Sequence, residues 1–211
     1  MTPRHSRHAT RSAVREPSGR RELLRAPAAP RDTAWGACYP GAVTIKDEAD
    51  ARRWDAVEEA SELIHEGQYQ DALYLLKDVA KADPENAYAF YFMGVALYEA
   101  AQLEPARDAF RAAVRVAPGY VGARGSLAQV LRRLHDYEAA IREGEAALRI
   151  APEDQDALHA VGLAHAALGE RANATHFLER FLATKPELEP AQEARQVLEM
   201  LKLGDGPLEV E

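Results

Sequence analysis

The chain has 211 residues with 47% hydrophobic and 28% charged side chains, a normal balance for one soluble domain or one short repeat array. Its net charge of −8 is uneven: residues 1–42 carry eight Arg, no Lys and three acids, leaving 18 basic and 31 acidic residues in the rest. An acidic body lacks the basic surface that phosphate backbones need, which argues against nucleic acid as a partner. No apolar run approaches the ~20 residues that span a bilayer, so no membrane partner is expected and the chain reads as cytoplasmic.

Residues 1–42 are rich in Arg, Pro, Ala and Gly and show little apolar periodicity. Such a segment buries too little surface to offset its ordering entropy and is expected to be a disordered basic tail. Two other readings stay open: an Arg-rich targeting peptide, or upstream DNA translated from a mis-assigned start, with the true start at Val43. Cys38 is the only cysteine, so no internal disulfide or cysteine-based zinc cluster is expected.

Helical patterning is continuous from about Asp47. First helices are expected near 48–66, 87–100, 121–134 and 155–168, and second helices near 69–82, 103–116, 137–150 and 171–184. Two columns of residues fix this register. Prolines stand at Pro84, Pro118, Pro152 and Pro186, and alanines at Ala72, Ala106, Ala140 and Ala174, each 34 residues after the last. Proline lacks the N–H and disfavours helix at the residue before it, so each one ends a second helix.

A 34-residue helix–turn–helix period resembles the tetratricopeptide repeat family. The second repeat carries the likeness best: Phe90, Met93, Gly94 and Leu97, then Ala106, Phe110, Ala113 and Pro118. The family pattern has Trp, Leu, Gly and Tyr in the first four places, so only Gly94 is retained there. The resemblance implies an all-α fold, a right-handed α-solenoid of four repeats at 53–86, 87–120, 121–154 and 155–188. Its small column, Ala60, Gly94, Ala128 and Gly162, lies where the two helices of a repeat cross. Two departures are expected to mark the array ends. Glu59 replaces an apolar residue where no earlier repeat covers it, and Phe181 replaces a small one. Residues 189–203 place Ala191, Ala194, Val197, Leu198 and Leu201 at helical spacing, which reads as a capping helix. The repeat domain is thus expected over 43–203, followed by a flexible acidic tail at 204–211.

No catalytic constellation is apparent, and neither cofactor nor metal is expected. His65, His135, His159, His165 and His176 are scattered over different helices, and the six-residue gap between His159 and His165 does not put them on one face. Gly119, Gly122 and Gly125 do not follow a strand, so they do not read as a phosphate loop.

The resemblance places function on the concave face formed by the first helices. The implied groove comprises Trp54 and Val57, then Tyr88, Tyr91, Val95 and Tyr98, then Gly122, Gly125, Gln129, Arg132 and Arg133, and finally His159. Two readings compete: the aromatics pack between adjacent first helices, or they form a wall opposite a glycine floor, with arginines for carboxylates. The chaperone-binding members of the family clamp a terminal carboxylate with Lys, Asn and Arg. Here Val57, Ser61, Val95, Gly122 and Ser126 occupy those places, so that clamp is not expected. The expected function is a non-catalytic scaffold or adaptor that binds an apolar or aromatic protein segment with acidic flanks. The alternative is an obligate or self-associating subunit of a larger complex.

Overall fold

Runs of strong helix formers separated by short Gly, Pro and Asx breaks leave little room for strands, and in the computed structural model, which describes residues 48–204, every regular element is a helix. In chain order these are α1 Glu48–Asp55, α2 Glu58–His65, α3 Tyr69–Ala82, α4 Ala87–Glu99, α5 Leu103–Val116, α6 Val121–Arg133, α7 Tyr137–Leu148, α8 Gln155–Ala167, α9 Arg171–Ala183 and α10 Leu188–Leu203. The expectations for residues 1–42 and for the acidic tail beyond Gly204 fall outside the described residues.

Helices α2/α3, α4/α5, α6/α7 and α8/α9 form successive hairpins, and each proline of the 34-residue column follows the second helix of its pair. One difference from the sequence reading lies at the start. The single helix expected over 48–66 is interrupted at Ala56–Val57, where the Val57 N–H bonds to the Trp54 carbonyl at 2.9 Å. This three-residue closure replaces the four-residue ladder of an α-helix and tightens the chain locally.

The small columns do the packing work assigned to them. Ala72, Ala106, Ala140 and Ala174 are fully buried, as are Ala60 and Ala128 to within 2%. A Cβ on Gly94 would stand 2.6 Å from the Phe110 ring, and one on Gly162 would stand 2.7 Å from Leu178. Only the absence of a side chain allows those crossings.

A fourth column escaped the sequence reading. Gly67, Ala101, His135 and Gly169 are also 34 apart, and all take the left-handed conformation, with φ of 75°, 56°, 60° and 75°. Each closes its first helix with a paired motif: its own N–H bonds back three residues, and the next N–H bonds back five, as in Gln68 to Leu63 and Asp136 to Leu131. These bonds satisfy carbonyls that a helix end otherwise leaves open. Asn86, Asp136 and Asp154 cap the following elements by accepting the N–H of Ala89, Ala139 and Ala157. Asp154 is half-buried, and burial pushes its carboxyl above the ordinary value, against the bond from Ala157.

At the far end, α10 covers the last pair as the sequence predicts. Its stripe of Ala191, Ala194, Val197, Leu198 and Leu201 is buried, and Leu178 and Phe181 belong to the same cluster as its apolar core. Gly204, with φ of 84°, ends it.

Candidate functional site

Trp54, Tyr88 and Tyr91, three of the four aromatic residues assigned to the groove, pack between neighbouring helix pairs. Trp54 is 6% exposed, Tyr91 2% and Val95 5%, while Val57 is fully buried. Trp54 meets Tyr88 edge-on at 5.5 Å, and Tyr88 and Tyr91 both reach the Tyr120 ring, at 5.6 and 5.1 Å. Tyr91 also lies 5.8 Å from Phe110, beneath it in the same hairpin. The rings of Trp54, Tyr88 and Tyr91 therefore pack in the seams between first helices, one of the two arrangements the sequence left open. Burial, together with Asp50 at 3.2 Å, pushes the Tyr88 phenol above its ordinary pKa, so its hydroxyl stays a donor to that carboxylate.

The two glycines assigned to the groove floor sit differently. A Cβ on Gly122 would meet the Tyr120 ring at 3.3 Å, and one on Gly125 would stand 2.9 Å from Asp154 Oδ1 and 3.0 Å from Asp156. Gly125 lets α6 approach the capped start of α8 closely, whereas Gly122 stays partly exposed beside the Tyr120 ring.

The remaining predicted residues do converge. The Arg133 guanidinium, on the exposed end of α6, lies 4.8 Å above the half-buried Tyr98 ring of α4. Gln129, one turn earlier on α6, points its amide nitrogen at His159 Nδ1, 3.3 Å away, and at the Asp156 carbonyl, 3.4 Å away. His159 stacks on Phe181 with centroids 4.6 Å apart, and its Nε2 lies 3.1 Å from Glu193 of α10. The enlarged residue Phe181 thus supplies the surface on which this histidine rests.

Arg132 is the unusual member. It is 9% exposed, its Nε has no hydrogen-bond partner, and no carboxylate among the described residues lies at ion-pair distance. Burial pulls its pKa below the ordinary value, while Glu193 and Tyr98 act through space in the opposite sense. Burial also works to raise the Glu193 carboxyl, but the His159 contact and the charges of His159 and Arg132 outweigh it and leave the group below its ordinary pKa. The sequence reading missed Glu193, because it sits between the apolar positions of the cap and signals only a solvated face.

The other histidine of α8, His165, faces elsewhere. It lies 2.7 Å from Glu170 and stacks on Phe177. Among the described residues, no three His, Cys, Asp or Glu side chains are grouped to hold a metal. No described helix is long and apolar enough to cross a membrane.

Helix hairpins stacked at a 34-residue period define an α-solenoid. Residues 63–130 match the family model described as tetratricopeptide repeat, so this part of the chain carries tetratricopeptide repeats. Among solved structures, the chain is similar to MamA 41-end from Desulfovibrio magneticus RS-1, at 22% identity and a TM-score of 0.62 over 75% of this chain and 86% of that one. It is also similar to TTC0263, a thermophilic protein of the same repeat type in Thermus thermophilus, at 25% identity and a TM-score of 0.56 over 72% and 81%. A third likeness is to YrrB, a repeat protein with an unusual peptide-binding site, at 20% identity and a TM-score of 0.57 over 70% and 79%. No curated protein matches the sequence.

Proposed function

We propose that the protein is a non-catalytic scaffold that holds a segment of a partner protein along the inner face made by α2, α4, α6 and α8. An acidic group of that segment would lie on Arg132 and Arg133. The observation that carries this reading is Arg132, a guanidinium nine-tenths buried with an Nε that nothing bonds. Desolvating a charge without a close partner costs several kcal/mol, so a structure retains such a group where something arrives to neutralise it. A carboxylate is the natural complement, because a guanidinium offers it parallel donors. Arg133 and Tyr98 extend the surface with a cation and a half-exposed ring. The match of residues 63–130 to a family of interaction modules supports the same reading, as does the fold shared with YrrB, which has a peptide-binding site.

The test is affinity capture from the source cells with wild-type protein and with the Arg132→Glu, Arg133→Glu double variant, quantified by mass spectrometry. Loss of a specific partner from the double variant, with retention by an Arg142→Glu control on α7, is expected. Equal capture by all three would overturn the reading.

A second reading, self-association, draws on α10. That helix leaves Leu188, Met200 and Leu203 exposed at 70%, 40% and 72%. If they form an interface between copies, light scattering would show a dimer that Met200→Glu with Leu203→Glu returns to monomer.

A further inference from the structure

A cavity of about 250 Å³ opens between α2, the start of α3 and α4. Its walls include Ile64 of α2 and Tyr91, Phe92 and Val95 of α4, so most of its surface is apolar. Sites for drug-sized ligands run to roughly 300–1,000 Å³. This cavity is smaller and suits one large side chain.

The carboxylates around it outnumber the bases, with His65 as the one basic side chain among its lining residues. Glu66 and Glu99 line it, and neither Lys nor Arg does. The outer surface of α2 adds exposed Glu58, Glu59 and Glu62. In such a field a cation is favoured at the rim and an anion is repelled. The position is equally specific. Glu99 follows Tyr98, the residue that carries Arg133, so the acidic cavity and the basic pair both border the C-terminal end of α4.

We infer that this cavity is an anchor site for a large apolar or aromatic side chain of a protein segment that has a Lys or Arg immediately beside it. The segment's acidic group would then follow toward Arg132. The inference rests on the inner-face reading for the course of the segment, but the cavity's own preference can be measured without any partner. It also changes the expected ligand: a basic flank at the anchor and an acidic one beyond it, in place of acidic flanks on both sides.

The experiment is a titration of the isotopically labelled full chain, followed by amide chemical shifts. The probes are three capped peptides: acetyl-Lys-Trp-Lys-amide, acetyl-Glu-Trp-Glu-amide and acetyl-Lys-Ala-Lys-amide. The first should shift amides within 64–67 and 91–99, and the other two should do so at least about tenfold more weakly. Val95→Trp, which fills the cavity, should abolish the shifts. Glu66→Lys with Glu99→Lys should reverse the preference between the two tryptophan peptides. The inference is overturned if the alanine peptide shifts the same amides as strongly, if the shifts scatter over the acidic surface, or if the charge-reversed variant keeps the wild-type preference. A cavity that takes its peptide while partner capture ignores Arg132 and Arg133 would uphold the anchor and remove the inner-face reading.

Discussion

The Arg133 guanidinium lies 4.8 Å above the Tyr98 ring, which joins the ends of α4 and α6 in one surface. An exposed contact of this kind is worth roughly 0.5–1 kcal/mol, so it shapes the surface more than it stabilises the fold. Tyr98→Ala should therefore weaken binding of a captured partner by about 1–2 kcal/mol, in the range of an interface hot spot. Its thermal midpoint should stay close to wild type. Calorimetric titration beside a thermal melt separates the two effects, and a large loss of stability with unchanged affinity would show Tyr98 to be structural.

Gly94 tests the helix crossing. A leucine there must displace the fully buried Phe110 ring, which already stands 2.6 Å from the position of a Cβ. Overpacking of this sort costs roughly 1–3 kcal/mol or more. The urea midpoint of Gly94→Leu should fall accordingly, and an unchanged midpoint would mean that the crossing is looser than described.

The left-handed column offers a stabilising change. Ala101 holds φ of 56° in a place where Gly67 and Gly169 hold the same conformation. A side chain in that region costs about 1–2 kcal/mol, of which glycine returns part through its greater freedom when unfolded. Ala101→Gly should raise the urea midpoint modestly, whereas Gly67→Ala should lower it.

Asp154 gives a prediction with a pH sign. Burial raises its folded-state pKa above the ordinary 3.8, so the folded protein holds that proton more tightly than the unfolded chain does. Its contribution is greatest below pH 3.8 and is lost as pH rises through the folded value. Asparagine caps a helix about as well as aspartate and carries no charge. Asp154→Asn should thus melt at a higher temperature than wild type at pH 7, and the gap should close in melts run toward pH 3.

How much of this was legible beforehand depended on whether a single steric rule repeated. Proline after the second helix and alanine at the crossing recur every 34 residues for one reason each, so the helices, the hairpins and the cap could be read from spacing. The left-handed column has the same period, but Ala101 and His135 hide it, because two non-glycine residues accept a strained conformation that local hydrogen bonds hold. The inner face was harder. Tyr91 and Tyr98 are seven residues apart, which leaves them about 20° from alignment on an α-helix. Tyr91 enters the seam against Tyr120, whereas Tyr98 meets Arg133. Spacing alone does not decide which ring falls in a seam and which on a surface. The cluster of Gln129, His159 and Glu193 joins residues 30 to 64 positions apart through tertiary packing, and nothing in their local sequence pairs them.

The capping helix carries the last prediction. Leu178 is fully buried and Phe181 is 2% exposed, and both share a core cluster with Ala194, Val197 and Leu198 of α10. Burying a side chain of this size contributes roughly 1.5–3 kcal/mol, so removing residues 188–211 should cost several kcal/mol. The loss should also reach the inner face, because His159 stacks on Phe181 and meets Glu193 of the same helix. The truncated protein should melt earlier, bind a hydrophobic dye and elute as aggregate on size exclusion. A milder variant, Glu193→Ala, removes only the carboxylate and should leave the melt nearly unchanged while altering the affinity of a ligand held at Arg132. If the truncated chain is as soluble and stable as the full one, α10 is dispensable and the last hairpin needs no cover. If Glu193→Ala shifts neither stability nor affinity, the carboxylate plays no part in the polar cluster.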